Sequence, residues 1–199
     1  RTNIESQIEF LGCSNHRTET STRGFFERLR DLVAYHDMPV ATLTYYLHSF
    51  MSEAISKAGC RVAISGNGAD ELFTGYYDHY SFWLAEMKNT NSFVNLQSDW
   101  QKSYGAYVQN PILQDPLVFF KNPLERGHIF LNSETFNAWL HDPFEETFEE
   151  SAYSNNILRN RMLNEIHHET IPVILHEDDR NSMYYSVENR SPYLDRDLA

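Results

Sequence analysis

A short apolar run at residues 60–64 is followed at once by a turn with two glycines, and this junction limits the fold more than any other part of the 199-residue chain. Val62, Ala63 and Ile64 form too short a run for a helix, so they predict a buried parallel strand. A helix is predicted directly before it, at residues 42–58, because apolar side chains recur there every three or four positions. Helix, strand, glycine-rich turn and helix is the order typical of α/β folds, in which ligands bind beyond the carboxyl ends of strands.

The same apolar spacing predicts three further helices, at residues 3–11, 24–35 and 157–168. Pro172 interrupts helical hydrogen bonding, so we expect the last helix to begin at Val173 and to end near Val187. Residues 88–156 are polar and aromatic, and four prolines interrupt them. We therefore expect three parts: an α/β part at 1–87, an irregular helical insertion at 88–156 and a helical part at 157–199.

The charge balance excludes some classes of partner. The chain has 28 acidic and 16 basic residues and a formal net charge of -12. Such a field repels polyanions, so neither nucleic acid nor an anionic membrane is expected as a partner.

Cys13 and Cys60 have no metal-site spacing, and no apolar stretch is long enough to span a membrane, so we expect a cytoplasmic protein. The missing initiator Met indicates a piece of a longer protein.

The turn after the apolar run could hold a nucleotide. Glycines allow a ligand to approach the backbone closely, and the hydroxyl of Ser65 with successive backbone N–H groups could hold phosphate oxygens. Asp70 and Glu71 could hold Mg²⁺, which prefers oxygen ligands and commonly bridges a carboxylate and a phosphate. The alternative is a structural strand-to-helix turn in which Asp70 only caps the helix.

A second polar segment lies near the end of the chain. Arg180 follows three consecutive acids, Glu177, Asp178 and Asp179. Twelve residues after Arg180, Pro192 stops helical structure and places Asp195 in a turn. The acids could form a solvated helix face, or they could belong to a structured corner of ion pairs. Both interpretations remain open from the residues alone.

Together the two segments resemble the asparagine synthetase family. Residues 65–76 match its Ser-Gly-x-Gly-x-Asp-Glu-Leu-Phe-x-Gly-Tyr signature. Residues 179–183 match Asp-Arg-x-Ser-Met, and residues 188–195 match Glu-x-Arg-x-Pro-x-Leu-Asp. The resemblance covers roughly residues 1–80 and 157–199. It implies an α/β synthetase domain of the adenine-nucleotide α-hydrolase type, Rossmann-like, with a partial parallel sheet and a largely helical second part.

By this resemblance, ATP and Mg²⁺ are the expected cofactors, and the reaction is the activation of a small-molecule carboxylate as an acyl-adenylate, which ammonia then converts to an amide. The ammonia would come from a glutaminase domain of the same protein. The resemblance implies nucleotide binding by Ser65, Gly66, Gly68, Asp70 and Glu71, with Asp70 also meeting the metal. Asn67, Glu177 and Asp178 are the residues expected to act in catalysis.

The chain also departs from the family pattern. It lacks the Ser-Gly-Gly-x-Asp-Ser pyrophosphate loop, the glutaminase with its first-position Cys and the Lys expected beyond the last signature, so the 199 residues alone should not catalyse. Asn67 stands where asparagine-making members often have an acid, and an amide is no base near neutral pH. The acceptor therefore stays open, with a sugar carboxylate of a surface polysaccharide as one alternative. Two others are a β-lactam-forming synthetase and a non-catalytic binding module.

Overall fold

A computed structural model describes residues 2–129, 132–143 and 149–198, and the chain divides into two compact units. Unit 1 consists of Arg1–Ser65 and Ile174–Arg190. Unit 2 consists of Gly66–Val173 and Ser191–Ala199. Each unit is thus assembled from two segments that are distant in the sequence.

The described residues form a mixed α/β structure that is mostly helical, with one small parallel sheet. Its helices are α1 (Thr2–Leu11), α2 (Phe25–His36), α3 (Leu43–Lys57), α4 (Ala69–Phe73), α5 (Tyr77–Glu86), α6 (Phe93–Ser103), α7 (Val118–Lys121), α8 (Ser133–Asn137), α9 (Ile157–His167) and α10 (Thr170–Tyr184). Its strands are β1 (Val62–Ile64) and β2 (Glu188–Arg190), and two 3₁₀ turns lie at Met87–Asn89 and Pro192–Leu194. The longest described helices, α3 and α10, have 15 residues each, and none of those described has the length and apolarity that a bilayer crossing requires.

The predicted helices before β1 and the helix at 157–168 are confirmed, but the bounds predicted for α10 are wrong. It begins at Thr170, because Pro172 is the third helical residue, where a backbone N–H has no partner within the helix. It ends at Tyr184, because Ser186 adopts a left-handed conformation with φ 59° and closes the helix. The segment predicted to be irregular contains α6, α7 and α8, and residues 130–131 and 144–148 of it lie outside the described ranges.

The sheet of unit 1 pairs β1 with β2 in parallel, with Val62 opposite Glu188 and Ile64 opposite Arg190. The parallel strand predicted from the apolar run is confirmed, but its predicted burial is wrong. Val62 is 45% exposed and Ile64 is 76% exposed. The reason is that, within the described ranges, the sheet has two strands and its one apolar face is left uncovered.

A partly buried arginine connects α2 to α3 in unit 1. Arg28 donates hydrogen bonds to the hydroxyl oxygens of Ser49 at 3.2 Å and of Tyr185 at 2.6 Å, and it forms a salt bridge with Glu53. Its guanidinium also lies 3.9 Å from the centre of the Phe50 ring, close enough for a cation–π contact. These contacts fix α2 against α3 by polar and aromatic interactions together.

Two polar contacts connect α3 to the part of α10 that belongs to unit 1. The Nδ2 amide of Asn181 donates to the Tyr45 carbonyl at 2.9 Å, and the Nδ1 atom of His48 lies 2.8 Å from the Oδ1 atom of Asp178. Asn181 is buried, so its bond to Tyr45 satisfies a backbone acceptor away from water. The hydrogen bond that His48 makes to the Asp178 carboxylate raises the pKa of His48, because the carboxylate favours the charged imidazole.

The core of unit 2 forms around α5. Its buried members are Phe82, Leu84, Ala85, Trp100, Val108, Leu113 and Phe119. The rings of Phe82 and Phe119 stack with centroids 3.6 Å apart, and the guanidinium of Arg126 lies 4.7 Å from the centre of the Phe82 ring. The α5 helix therefore has one face in an apolar core, and its position is set by aromatic packing.

Phe82→Ala should lower the free energy of unfolding by about 3–5 kcal/mol, because it removes a fully buried ring and leaves a cavity beside Phe119. Urea denaturation followed by tryptophan fluorescence measures this loss. Leu124→Ala, at a side chain that is 82% exposed, is the matched control and should change stability by less than about 0.5 kcal/mol. A loss below about 1 kcal/mol in Phe82→Ala would contradict the proposed packing.

The pKa of His48 should lie above its ordinary value of about 6.5 in the folded protein and should return toward it in Asp178→Asn. Because the folded-state pKa is raised, the pair stabilises the fold below pH of about 6.5, and this contribution is lost as pH rises through the folded pKa. An NMR titration of the imidazole measures the pKa. Asp179→Asn, at the exposed neighbouring acid, is the control, and an unchanged pKa in Asp178→Asn would refute the pairing.

Candidate functional site

The first signature segment enters unit 2 at Gly66 and forms the N-terminal end of α4. Gly68 stands at the N-cap with φ 92°, a conformation that favours glycine. A Cβ atom at this position would lie 2.4 Å from the Cδ2 atom of Leu194, so a side chain would also collide. Leu194 belongs to the last signature segment, so two signatures more than a hundred residues apart in sequence meet here within unit 2.

A second contact between these signatures lies at the other end of α4. The rings of Phe73 and Tyr193 meet edge to face, with centroids 5.8 Å apart and an interplanar angle of 76°. Both side chains are partly exposed, so the contact lies at the surface of unit 2. The Pro192–Leu194 turn therefore packs along α4, a contact that no local pattern in the sequence predicts.

Asp70 lies in the first turn of α4 with its side chain exposed. Gly75 packs directly against it, because a Cβ atom there would lie 1.7 Å from the Oδ1 atom of Asp70. The Gly75 N–H also donates to the Asp70 carbonyl at 3.0 Å, which folds the loop back over the helix. The interpretation of Asp70 as the helix cap is wrong, since Gly68 is the N-cap and no side chain caps α4.

The two adjacent acids of this helix have opposite environments. Glu71 is 1% exposed, and its Oε1 atom accepts a hydrogen bond from the Tyr76 hydroxyl at 2.5 Å. Burial, together with the neighbouring Glu71 carboxylate, raises the pKa of Tyr76, so its hydroxyl stays protonated and remains a donor. Of the two predicted oxygen ligands, Asp70 is thus the exposed one and Glu71 the buried one, and the metal role expected of Asp70 remains a prediction.

Ser65 is the last residue of the first segment of unit 1, and Gly66 and Asn67 are the first residues of unit 2. Ser65 extends the strand pairing of unit 1, with its N–H donating to the Arg190 carbonyl at 2.8 Å and its hydroxyl at 3.4 Å from the same oxygen. Gly66 has open space where a Cβ atom would lie, and Asn67 is half-buried. The nucleotide and catalytic roles expected of these residues remain predictions.

Glu177 and Asp178, which the resemblance assigns to catalysis, lie in unit 1. Glu177 is 1% exposed, and its Oε1 atom accepts from the Ala41 N–H at 3.2 Å. The Nδ1 atom of buried His36 lies 3.6 Å from the Oε2 atom of Glu177, and burial lowers the pKa of His36. A solvated acidic face is therefore the wrong interpretation for Glu177, and the catalytic roles of both acids remain predictions.

A buried ion-pair network in unit 2 is the main feature that the sequence did not reveal. Arg161 of α9 contacts Glu165 at 3.0 Å, Glu150 at 3.0 Å and Glu169 at 2.7 Å. Asp78 of α5 lies 3.8 Å from the same guanidinium. The spacing of Arg161 and Glu165 on one helix face is a local signal that could have indicated part of this network.

The network includes a group that could in principle bind a metal. The ligand atoms of Asp78, His79 and Glu165 lie within 4.8 Å of one another, and all three residues are buried. However, the Nε2 atom of His79 already lies 2.8 Å from Glu165, whose other oxygen accepts from Arg161. A metal on Nε2 would place the imidazole proton on Nδ1, which is buried with no hydrogen-bond partner among the described residues. We therefore interpret this group as an ion-pair network.

The comparison with curated proteins finds a distant fungal relative. The chain is 21% identical over 218 residues to a protein of Gibberella zeae named Amidase chry2, and the match covers 96% of the chain and 32% of that relative. The chain thus spans about a third of the length of the relative. No solved structure matches the chain.

The match to a protein-family model covers residues of both units. The model of the asparagine synthase family matches residues 3–199, which includes the middle segment that resembles nothing by its motifs. Both signature segments, with the contact of Gly68 and Leu194 between them, lie inside this match. The chain belongs to the asparagine synthase family.

Proposed function

We propose that the full-length protein is an ATP-dependent carbon–nitrogen ligase that activates a carboxylate as an acyl-adenylate and then amidates it. Membership of the asparagine synthase family supports this reaction class. The observation that carries the proposal is the exposed carboxylate of Asp70, held at the start of α4 where the two signature segments meet. The fold proposed for the complete domain is the Rossmann-like, adenine-nucleotide α-hydrolase type, to which the parallel pair of β1 and β2 would contribute.

The reaction needs compensation for the charge of the pyrophosphate. A carboxylate oxygen of the acceptor attacks the α-phosphorus of ATP, the bond to the β-phosphate oxygen breaks, and pyrophosphate leaves. Ammonia then attacks the acyl carbon, AMP leaves, and the nitrogen loses a proton to give the neutral amide. Asp70 would hold Mg²⁺, which neutralises the leaving pyrophosphate.

The other residues of the loop would bind the nucleotide through the backbone. Gly66 has open space in which a ligand can approach closely, and Ser65 and Gly68 flank the same turn. Asn67 would orient the acceptor by hydrogen bonds, because its amide can donate and accept but cannot act as a base. Glu71, which is buried, would support the loop from inside unit 2.

The nitrogen source and the acceptor follow from the same proposal. Ammonia would come from a glutaminase domain of the full-length protein, and the acceptor would be a small carboxylate, with sugar carboxylates among the candidates because of Asn67.

Cys13 and Cys60 are exposed free thiols, which is typical of a reducing compartment, and we propose a cytoplasmic enzyme.

Asp70→Asn in the full-length protein should lower adenylation about a hundredfold. Loss of a contact with a charged group costs up to about 3 kcal/mol, and each 1.36 kcal/mol is about tenfold in rate. Asn67→Asp should instead raise the acceptor's KM more than it changes ATP binding, because a second carboxylate repels the acceptor. ATP–pyrophosphate exchange with a panel of carboxylates measures both effects.

Asp99→Asn is the matched control for Asp70→Asn, since Asp99 is an exposed acid on α6 of the same unit. It should leave the exchange rate at the wild-type level. Exchange near wild-type in both Asp70→Asn and Asn67→Asp would mean that the turn is only structural. The absence of exchange from the wild-type protein with every carboxylate would favour a non-catalytic binding module.

A further inference from the structure

The connection between α4 and α5 contains a hydrogen bond that closes a loop of the chain on itself. Tyr76 stands at the N-cap of α5, and its hydroxyl donates to the Glu71 carboxylate, which lies inside α4. Between these two residues, Thr74 adopts φ 64°, and Gly75 packs against Asp70. The bond therefore fixes the same short loop that folds back over Asp70.

This bond has an energetic reason to persist. The Glu71 carboxylate is 1% exposed, and a buried carboxylate without a donor is strongly destabilising. A tyrosine hydroxyl is protonated throughout the physiological pH range, so the donor is always present. Separation of the two groups would thus cost more than a typical surface hydrogen bond.

The bond also continues into the rigid part of unit 2. The ring of Tyr76 meets the ring of His79 edge to face, with centroids 5.2 Å apart. The His79 imidazole lies 2.8 Å from Glu165 of α9, and Glu165 in turn accepts from Arg161. A series of contacts thus leads from the ion-pair network of α9 to the inner side of α4.

We infer that Tyr76 and Glu71 are positioning residues, whose hydrogen bond holds α4 in the rotation that presents Asp70 to solvent. Successive helical residues point about 100° apart, and with Glu71 buried this rotation leaves Asp70 on the exposed side of α4. This inference rests on the proposed function, in which Asp70 holds Mg²⁺. It assigns Glu71 a role in orientation, in place of the direct contact with the cofactor that its signature suggests.

The test measures the Mg²⁺ concentration needed for half-maximal ATP binding by the full-length protein. Each variant is measured well below its unfolding temperature. Tyr76→Phe removes only the donor, and it should raise this concentration about tenfold, because loss of a hydrogen bond to a buried charge costs about 1.4 kcal/mol or more. Glu71→Ala removes the acceptor and should produce a similar increase. Should Tyr76→Phe fail to fold, Glu71→Ala carries the test.

Glu71→Gln is the conservative variant, because its amide oxygen can still accept from Tyr76 while the charge is lost. A positioning role predicts an increase of no more than about threefold, since the hydrogen bond is kept, whereas a direct metal ligand would lose its charge and its affinity. An increase in Glu71→Gln as large as in Asp70→Asn would overturn the inference. Tyr153→Phe, which loses a hydroxyl bonded to His168, is the control and should match the wild-type.

The same measurement separates the inference from the function on which it rests. If Asp70→Asn raises the Mg²⁺ requirement and Tyr76→Phe does not, the positioning role is wrong and the proposed function stands. If Asp70→Asn leaves the requirement unchanged, the metal role of Asp70 fails.

Discussion

The guanidinium of Arg161 lies buried in unit 2 among the carboxylates of Glu150, Glu165 and Glu169, with Asp78 nearby. Interaction with these acids raises the pKa of Arg161 despite its burial, so the cation is permanent. A buried carboxylate is tolerated only when it is paired and hydrogen-bonded, so each of these acids depends on this one side chain or on a neighbouring histidine or arginine. Together with the apolar packing of Ile157 and Leu158 on the core, these ion pairs connect α9 to α5.

The meeting of the two signatures in unit 2 connects this framework to function. Gly68 leaves room for Leu194, and Phe73 contacts Tyr193, so the Pro192–Leu194 turn lies along α4. The consequence is that one short helix is held by a turn from the far end of the chain on one side and by the Tyr76–Glu71 bond on the other. Asp70 is the acid of this helix that is exposed, with Gly75 packed against it, and the proposed function assigns the metal to this carboxylate.

Local patterns predicted the parts of the fold that depend on local forces. Helical spacing indicated α2, α3 and α9, and the apolar run indicated a parallel strand. The start of α10 was missed because a proline in the first helical turn looks like a helix breaker in the sequence. The exposure of Ile64 and the burial of Glu177 depend on which segments pack nearby. A run of acids has the same sequence whether its side chains face water or, as Glu177 does, a buried histidine. The sequence could not predict that Glu71 is buried and Asp70 is exposed, because this difference also depends on which segments pack nearby.

If the full-length protein adenylates a carboxylate as proposed, the products of ATP cleavage should show it. The full-length protein, supplied with MgATP, glutamine and a panel of small carboxylates, should form AMP and pyrophosphate in a manner that depends on the acceptor. With an ¹⁸O-labelled acceptor, one labelled oxygen should appear in the phosphate of AMP, as ³¹P NMR can show, because the carboxylate attacks the α-phosphorus. Acceptor-dependent formation of ADP and inorganic phosphate, with no label in AMP, would contradict the account.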